Sequence, residues 1–378
     1  MTTDPVDTEI PVTPLSVPGS RYPTGWFQVA WSDDIKPGGI KQVSYFGTKI
    51  VLWRGNSGEL FASDPYCLHL GGNLAVNGEV SGDEIVCPWH HWHWNGEGRN
   101  TLIPYSKQTC KPNLKLRTWH LREWNGIVLL WHDVGRCEPT WEPPVYEGLG
   151  TDDYFPFTED RRYQSRIVAH PQMIVENGAD PAHVMYIHGG GEMPEYDNIT
   201  VDGPLWSADV MIAYGAGKES TWLTPDGGMQ VKVGFRNYGL GLGGTLWPKE
   251  FMSAVMLMCN TPVDETHTDQ FFCITGKKSS PEETEAPRRL VRFFQHQKHT
   301  NEQDYFTWEH MKVVGRPNLA PEEALPLASL RRWAWQFYPH LEQPAPRVPS
   351  SNGTDGAGHD GTNGAAALGT PAKEQASL

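Results

Sequence analysis

Eight residues, CPWHHWHW at Cys87–Trp94, hold one cysteine and three histidines, and a Cys-x-His pair, Cys67 and His69, precedes them in DPYCLHLGGNL. Thiolates and neutral imidazoles are metal ligands. The pattern Cys-x-His, seventeen residues, Cys-x-x-His therefore offers four donors from two separate segments. Gly71, Gly72 and Pro88 place both pairs in tight loops that can turn backbone N–H groups toward a negatively charged centre. Two thiolates and two imidazoles also suit tetrahedral zinc, so the donor count alone leaves a structural zinc ribbon open.

A second constellation lies in VENGADPAHVMYIHGG, where Glu176, Asp180, His183 and His188 follow one another at spacings of four, three and five. Two histidines and a carboxylate form the facial set of a mononuclear non-haem Fe(II) centre, which leaves the opposite face open. The plainer alternative is a solvated helix with a few polar residues. Asp180 and His183 are three apart and would share a helix face. His183 and His188 are five apart, about 140° round an ideal helix, so both reach one metal only if the helix is irregular or ends before His188. Gly189–Gly191 make an end there plausible by composition.

The elements that must position these donors fall into two blocks. From Trp26 to Asp133, the runs KQVSYFG, TKIVLWRG, ELFASDP, DEIVCPW and NGIVLLWHD alternate with turn residues, the pattern of a small all-β domain. Residues 137–156, rich in Pro and Glu, read as a linker. Beyond it come a helical segment at the second constellation, the strand-like runs QVKVGFRNYG, FMSAVMLMCNTPV and HTDQFFCITG, and a late helix over PRRLVRFFQHQKHTNEQDYFTWEHMK. Helix, strands, then helix predicts an α+β domain with an antiparallel sheet. The expected boundaries are a flexible arm at 1–21, a first domain at 22–138, a second at 139–342, and a disordered tail at 343–378.

In the first pair of loops the residues around the donors read CxHxGG and CPWHxW, and there the chain resembles the Rieske iron–sulfur proteins. The resemblance implies a [2Fe–2S] cluster with Cys67 and Cys87 on one iron and His69 and His90 on the other, and Trp92 packed behind the second loop. His91 and His93 then read as surface polar residues or, failing that, as docking contacts. Together with the second constellation, the sequence resembles the catalytic subunits of Rieske non-haem iron oxygenases over residues 22–340. This implies a helix-grip-type catalytic domain and a mononuclear Fe(II) held by His183, His188 and a late carboxylate. Asp304 in NEQDYFTWEH is the expected third ligand, with Glu302 and Glu309 as local competitors. The resemblance gives Asp180 a bridging role between an iron-binding histidine, here His183, and a cluster-binding one in a neighbouring subunit. His90 is one of two candidates there. It also implies a head-to-tail homotrimer and a separate NAD(P)H-dependent reductase or ferredoxin.

ENGADPAHVMYIHG and TPVDETHTDQFF look most like the branch of 3-ketosteroid 9α-hydroxylase oxygenases and cholesterol 7-desaturases. That branch implies hydroxylation or desaturation of a hydrophobic fused-ring substrate, with an aromatic acid or amine as the alternative. A pure electron carrier is the reading from another class. The three glycines after His188 depart from the bulkier residues expected of the branch. No Arg or Lys lies near the iron motif in sequence, which favours a neutral substrate.

A net charge of −14 and the lack of a basic cluster argue against nucleic-acid and anionic-lipid surfaces. No apolar run is long enough to span a bilayer. The acidic N-terminus lacks a secretory core, and six scattered cysteines suit a reducing compartment, so a cytoplasmic protein is expected. GLGLGG at Gly239–Gly244 matches a dinucleotide fingerprint literally. Pro248 and the lack of a following ribose-binding acid make it a strand end or pocket-edge loop instead. Cys110, Cys137, Cys259 and Cys273 read as core thiols, and Met252, Met256 and Met258 as one face of a strand.

Overall fold

The computed structural model describes residues 10–17, 22–108, 110, 113–144, 146, 149, 151–215, 222, 224 and 226–341. The expected tail and much of the expected arm lie outside the described residues. The N-terminal half is all-β, in three small antiparallel sheets. In one, Gly25–Trp31 pairs with Ile127–His132, which pairs with Leu121–Trp124 through a turn at Asn125 and Gly126, both at positive φ. A second joins Ile40–Tyr45, Thr48–Arg54 and Leu60–Ser63. The third, four short strands from Glu79 to Leu102, carries the Cys87–His90 loop, and the Cys67–His69 loop leads into it from the second sheet. Under those loops Val51, Trp53, Ile85 and Trp94 are buried, so the donors stand on a packed aromatic and β-branched floor.

Within this half, His132 is 5% exposed, its Nδ1–H donates to the Pro23 carbonyl at 3.0 Å, and its ring stacks on Phe46 at 4.1 Å. Burial pushes its pKa down to about 4 from an ordinary 6.5. The folded state thus binds fewer protons than the unfolded chain between those values. The stabilisation is full above about pH 6.5 and is lost as pH falls to about 4, roughly 3 kcal/mol in total. Urea titrations across pH 4–7 should show that slope, and His132→Phe should flatten it. An unchanged slope in the variant would remove His132 as the cause.

The expected linker is packed rather than free. The Trp26 indole N–H donates to the Trp141 carbonyl at 2.8 Å, Trp141 meets Trp131 edge-on at 5.7 Å, and Tyr146 is buried against Tyr238. Its aromatics outweigh its Pro and Glu content.

The C-terminal half is built on a seven-stranded antiparallel sheet. In order across it run Arg162–Ile167, Thr268–Thr275, Val255–Pro262, Leu242–Leu246, Met229–Tyr238, Leu205–Tyr214 and Glu195–Asp202. The helices are α1 (Pro171–Asn177), α2 (Ala182–Tyr186), α3 (Arg288–His310) and α4 (Pro321–Ala334). The long α3 buries Leu290, Phe293, Phe294, Asn301, Asp304 and Trp308, a stripe at helical spacing. Helix α4 was not expected because Pro326 interrupts its sequence pattern. It is anchored by Arg331, whose guanidinium holds the Glu176 carboxylate of α1 at 2.8 Å.

Part of the expected flexible arm is seated here. Thr13 is 1% exposed, its hydroxyl accepts from the Gln172 amide at 2.7 Å, and the Val12 carbonyl accepts from the Trp335 indole at 2.7 Å. The methionine face is also shorter than expected. The strand starts at Val255, and Met252 and Ser253 form a left-handed turn before it, so only Met256 and Met258 share the face. Of the four cysteines expected in the core, Cys259 and Cys273 are buried. Cys110 is half-buried and Cys137 exposed, because both lie in loops of the N-terminal half.

Candidate functional site

The helical segment bearing the second constellation breaks after Gly178, and the break solves its spacing problem. Asp180 precedes α2, and its Oδ1 accepts from the N–H groups of Ala182 and His183 at 2.9 and 3.3 Å. A carboxylate satisfying the exposed amides of a helix start is the usual N-terminal arrangement. After Tyr186 the helix closes: Ile187 N–H bonds the His183 carbonyl, Gly189 takes φ 68°, and Gly190 N–H bonds the Val184 carbonyl at 3.0 Å. A Cβ at Gly190 would stand 3.0 Å from the Val184 oxygen. Two of the three glycines that depart from the expected pattern are therefore needed to turn the chain and bring His188 back over α2.

That turn brings His183, His188 and Asp304 together, with one ligand atom from each within 4.8 Å of the others. The rings of His183 and His188 lie 5.1 Å apart, nearly perpendicular. His183 Nδ1–H donates to the Asp180 carbonyl at 2.5 Å, and His188 Nδ1–H donates to Gln303 Oε1 at 3.0 Å. Each imidazole therefore turns its Nε2 toward the centre of the group, the nitrogen a metal ligand needs. His188 Nε2 is 3.5 Å from Asp304 Oδ2, and the Asn177 amide donates to both His183 Nε2 and Asp304 Oδ2, at 3.2 and 3.1 Å. Asp304 is 5% exposed, whereas Glu302 and Glu309 point outward on the other side of α3.

Burial lowers the pKa of His183 despite the opposing pull of Asp304 and Asp180. Burial also acts on His188, but hydrogen bonding and charge from Asp304, with help from Gln303, carry its pKa upward. Two imidazoles and one carboxylate, converging from three elements, fit a divalent iron with an open side.

Asp180 differs from expectation in one respect. His183 leans on its backbone carbonyl, because a ring three residues along folds back over the residue that caps its own helix. The carboxylate itself is engaged by the helix-start amides through Oδ1. Asn177 and Gln303 were not singled out from the sequence. Gln303 stood next to Asp304, but only the fold shows that its amide faces the ring of His188.

In the N-terminal half the two loops mirror each other. Cys67 N–H bonds the Gly72 carbonyl at 2.8 Å and Gly71 N–H returns to the Cys67 carbonyl at 2.9 Å. Cys87 N–H bonds the Trp92 carbonyl at 2.9 Å and His91 N–H returns to Cys87 at 3.0 Å. Cys67 and Cys87 are each 2% exposed, and burial raises the Cys67 pKa. A Cβ at Gly72 would stand 3.0 Å from the Cys87 sulfur. The rings of His69 and His90 are 4.6 Å apart, and Trp92 stacks flat on His69 at 4.5 Å. His90 Nδ1 is buried with no hydrogen-bond partner among the described residues, as befits a nitrogen directed at a metal. Two thiols side by side and two imidazoles side by side fit a two-iron centre whose ends differ. His91 is exposed, but His93 is half-buried and held by Glu84 at 3.0 Å, so it is not a plain surface residue.

The triad opens into a cavity of about 480 Å³ between α3 and the sheet, walled by Val210, Phe235, Trp247, Met256, Met258 and Phe272. Gly243 and Gly244 of the discounted glycine motif lie in that wall. Among the described residues no Lys, Arg or Glu lines it.

Residues 25–120 match the Rieske [2Fe-2S] domain, and residues 130–338 match the 3-ketosteroid 9alpha-hydroxylase C-terminal domain. The chain belongs to this family of Rieske oxygenases. Its relatives include the oxygenase component of 3-ketosteroid-9-alpha-monooxygenase from Rhodococcus rhodochrous, 31% identical and covering 86% of each chain. Cholesterol 7-desaturase from Hemicentrotus pulcherrimus is 28% identical over 84% of this chain and 70% of its own. Solved structures with the same fold include dicamba monooxygenase bound to dicamba (TM-score 0.63, 16% identity, 84% and 97% coverage). Pseudomonas putida CBB5 NdmA with caffeine is another (TM-score 0.64, 17% identity, 82% and 89% coverage). This Rieske oxygenase is an oxidoreductase of the monooxygenase type, and its prosthetic groups are a [2Fe–2S] cluster and a mononuclear iron. Neither the zinc ribbon nor the pure electron carrier survives that assignment. No helix among the described residues is long and apolar enough to cross a membrane.

Proposed function

We propose that the protein is the terminal oxygenase of a multicomponent monooxygenase that hydroxylates a neutral fused-ring steroid, with a 3-ketosteroid as the leading candidate. The observation that carries the reading is the cavity: about 480 Å³, open to the triad, with aromatic and aliphatic walls, neutral amides such as Asn237 and Gln297 among them, and no Lys or Arg among the described residues. Such a volume suits a rigid ring system, and a substrate carboxylate would meet no Lys or Arg there to neutralise it. The relatives that act on ketosteroids and cholesterol support the same substrate class.

Cys67, Cys87, His69 and His90 would hold the cluster, and His183, His188 and Asp304 the iron. Bound there, these groups supply single electrons and the activation of O₂. The protein's own part is to hold the substrate against the open side of the triad and keep water out. The apolar wall does both, while the Asp180 carbonyl and Gln303 lock the two imidazoles. Electrons come from a separate reductase or ferredoxin, in keeping with relatives named as oxygenase components.

The assembly is a homotrimer in which a cluster of one subunit faces the iron of the next. Leu68, Leu70 and Trp89 beside the cluster loops are 46, 59 and 59% exposed, and Tyr186 and Ile187 beside the triad are exposed as well. Asp180 Oδ2, which makes no hydrogen bond among the described residues, is placed to accept from a neighbour's cluster histidine. The domain limits 22–138 and 139–342 and a cytoplasmic setting belong to the same proposal.

A single turnover tests it. Protein reduced chemically and exposed to O₂ with 3-ketosteroids, sterols and aromatic acids should add one oxygen to a steroid, read as product mass. Oxidation of an aromatic acid or amine alone would overturn the steroid assignment and leave the metal sites standing.

A further inference from the structure

Seven residues before Asp304 on α3 stands Gln297. Seven residues are nearly two full turns, so both side chains lie on one stripe of the helix, separated along its axis by about 10 Å. Both face the cavity. Gln297 is 7% exposed, and the cavity it lines carries Tyr214, Phe235 and Trp247 together with the polar Asn237, Asn260 and Thr300. The Gln297 amide faces the Tyr214 hydroxyl, and its N–H favours that group's charged form against the burial that raises its pKa. Tyr214 is itself wedged against Trp247 and Phe251 at 5.7 and 5.4 Å.

An amide carries two N–H donors and an oxygen with two lone pairs, so one neighbouring hydroxyl leaves most of its capacity unmet. The other carboxamide on this stripe, Asn301, is already engaged with Tyr163, Gln270 and Tyr305. Asn260, another buried amide of the lining, lies on the sheet and accepts from the Gln270 amide, so on this stripe of α3 Gln297 is the carboxamide with donor capacity left for the cavity.

We infer that Gln297, set by Tyr214, is the specificity-determining donor for a carbonyl oxygen that the substrate carries about two helical turns away from the triad. The inference rests on the fused-ring reading above and deepens it. A rigid ring system long enough to touch both ends would be held in one register by this hydrogen bond, which fixes the carbon presented to the metal. An apolar wall alone would let a flat substrate slide or flip. Gln297 is thus a substrate-binding group, and Tyr214 a positioning residue behind it.

The test is equilibrium binding to the holoenzyme, followed by quenching of tryptophan fluorescence, which Trp247 in the wall should report. The probes are a 3-ketosteroid and the same steroid lacking the 3-oxygen. Wild type should bind the ketone about ten- to a hundredfold more tightly. Gln297→Leu should erase that preference while binding the deoxygenated steroid as wild type does, with iron content unchanged. Tyr214→Phe, which keeps the ring's bulk, should reduce the preference part-way. Equal weakening toward both probes would make Gln297 a packing residue and overturn the inference, as would a preference that survives Gln297→Leu. Wild type binding both steroids equally would leave the steroid reading intact and sink this one. Wild type binding neither would remove both.

Discussion

Replacing His188 or Asp304 by alanine is expected to take one iron from each chain, leave the visible absorbance of the cluster unchanged, and abolish product formation. The geometry separates the two metal sites: every triad donor comes from α2, the turn after it or α3, and none from the loops of the N-terminal half. The loss should exceed the roughly 10- to 100-fold in metal affinity that follows removal of an outer partner. Gln303→Leu is that milder case, because it removes only the acceptor that holds His188 Nδ1. Glu302→Ala, which frees a surface pair with Lys298 at 3.6 Å, should change nothing. Iron measured per chain beside the cluster absorbance decides the matter. A His188→Ala protein with full iron and full turnover would show that the three residues meet for another reason.

The donors themselves were legible because ligand chemistry restricts residue type and spacing. Cys67, His69, Cys87 and His90 sit at hairpin ends where glycine, proline and β-branched residues marked the loops. The spacing of His183 and His188 already implied a helix that stops early, and Gly189 at φ 68° is the stop. What could not be read is what depends on contacts across the fold. The neighbour of His183 is a carbonyl of Asp180 rather than its carboxylate, since a helix-start side chain has closer amides to serve. Gln303 and Gln297 are ordinary helix residues until α3 is laid on the sheet.

Composition misled in three places for one reason: it averages over residues that act singly. The stretch 137–156 is rich in Pro and Glu, yet Trp141 and Tyr146 tie it down. The early arm holds Thr13, one buried hydroxyl that serves Gln172. Helix α4 survives Pro326 because Arg331 is held by Glu176 of α1 and by the Val314 and Gly315 carbonyls, and the turn after the helix is tied to Val12 through Trp335. Tertiary partners overrode local preference at each of these places.

Cys87→Ala is expected to strip the protein of its visible colour, of two irons and of all acid-labile sulfide, while the mononuclear iron stays. The sulfur is buried against Gly72, where a Cβ would stand 3.0 Å away, and alanine offers no donor in its place. Burial raises the pKa of its partner Cys67, which means that the pocket disfavours a bare thiolate and that binding the cluster must supply the compensation. Losing the crosslink between the two loops should also loosen the floor of Trp94, Leu74 and Ile85 beneath them. The N-terminal half should then melt first while the sheet of the C-terminal half holds. Cys259→Ala is the control: that thiol is equally buried but lies in the central sheet, with Cys273 as its neighbour and neither set of metal donors beside it, and it should keep both metals. A Cys87→Ala protein that retained sulfide and colour would place the cluster on other residues. Loss of the mononuclear iron as well would mean that the cluster's loops and the triad are structurally coupled rather than independent.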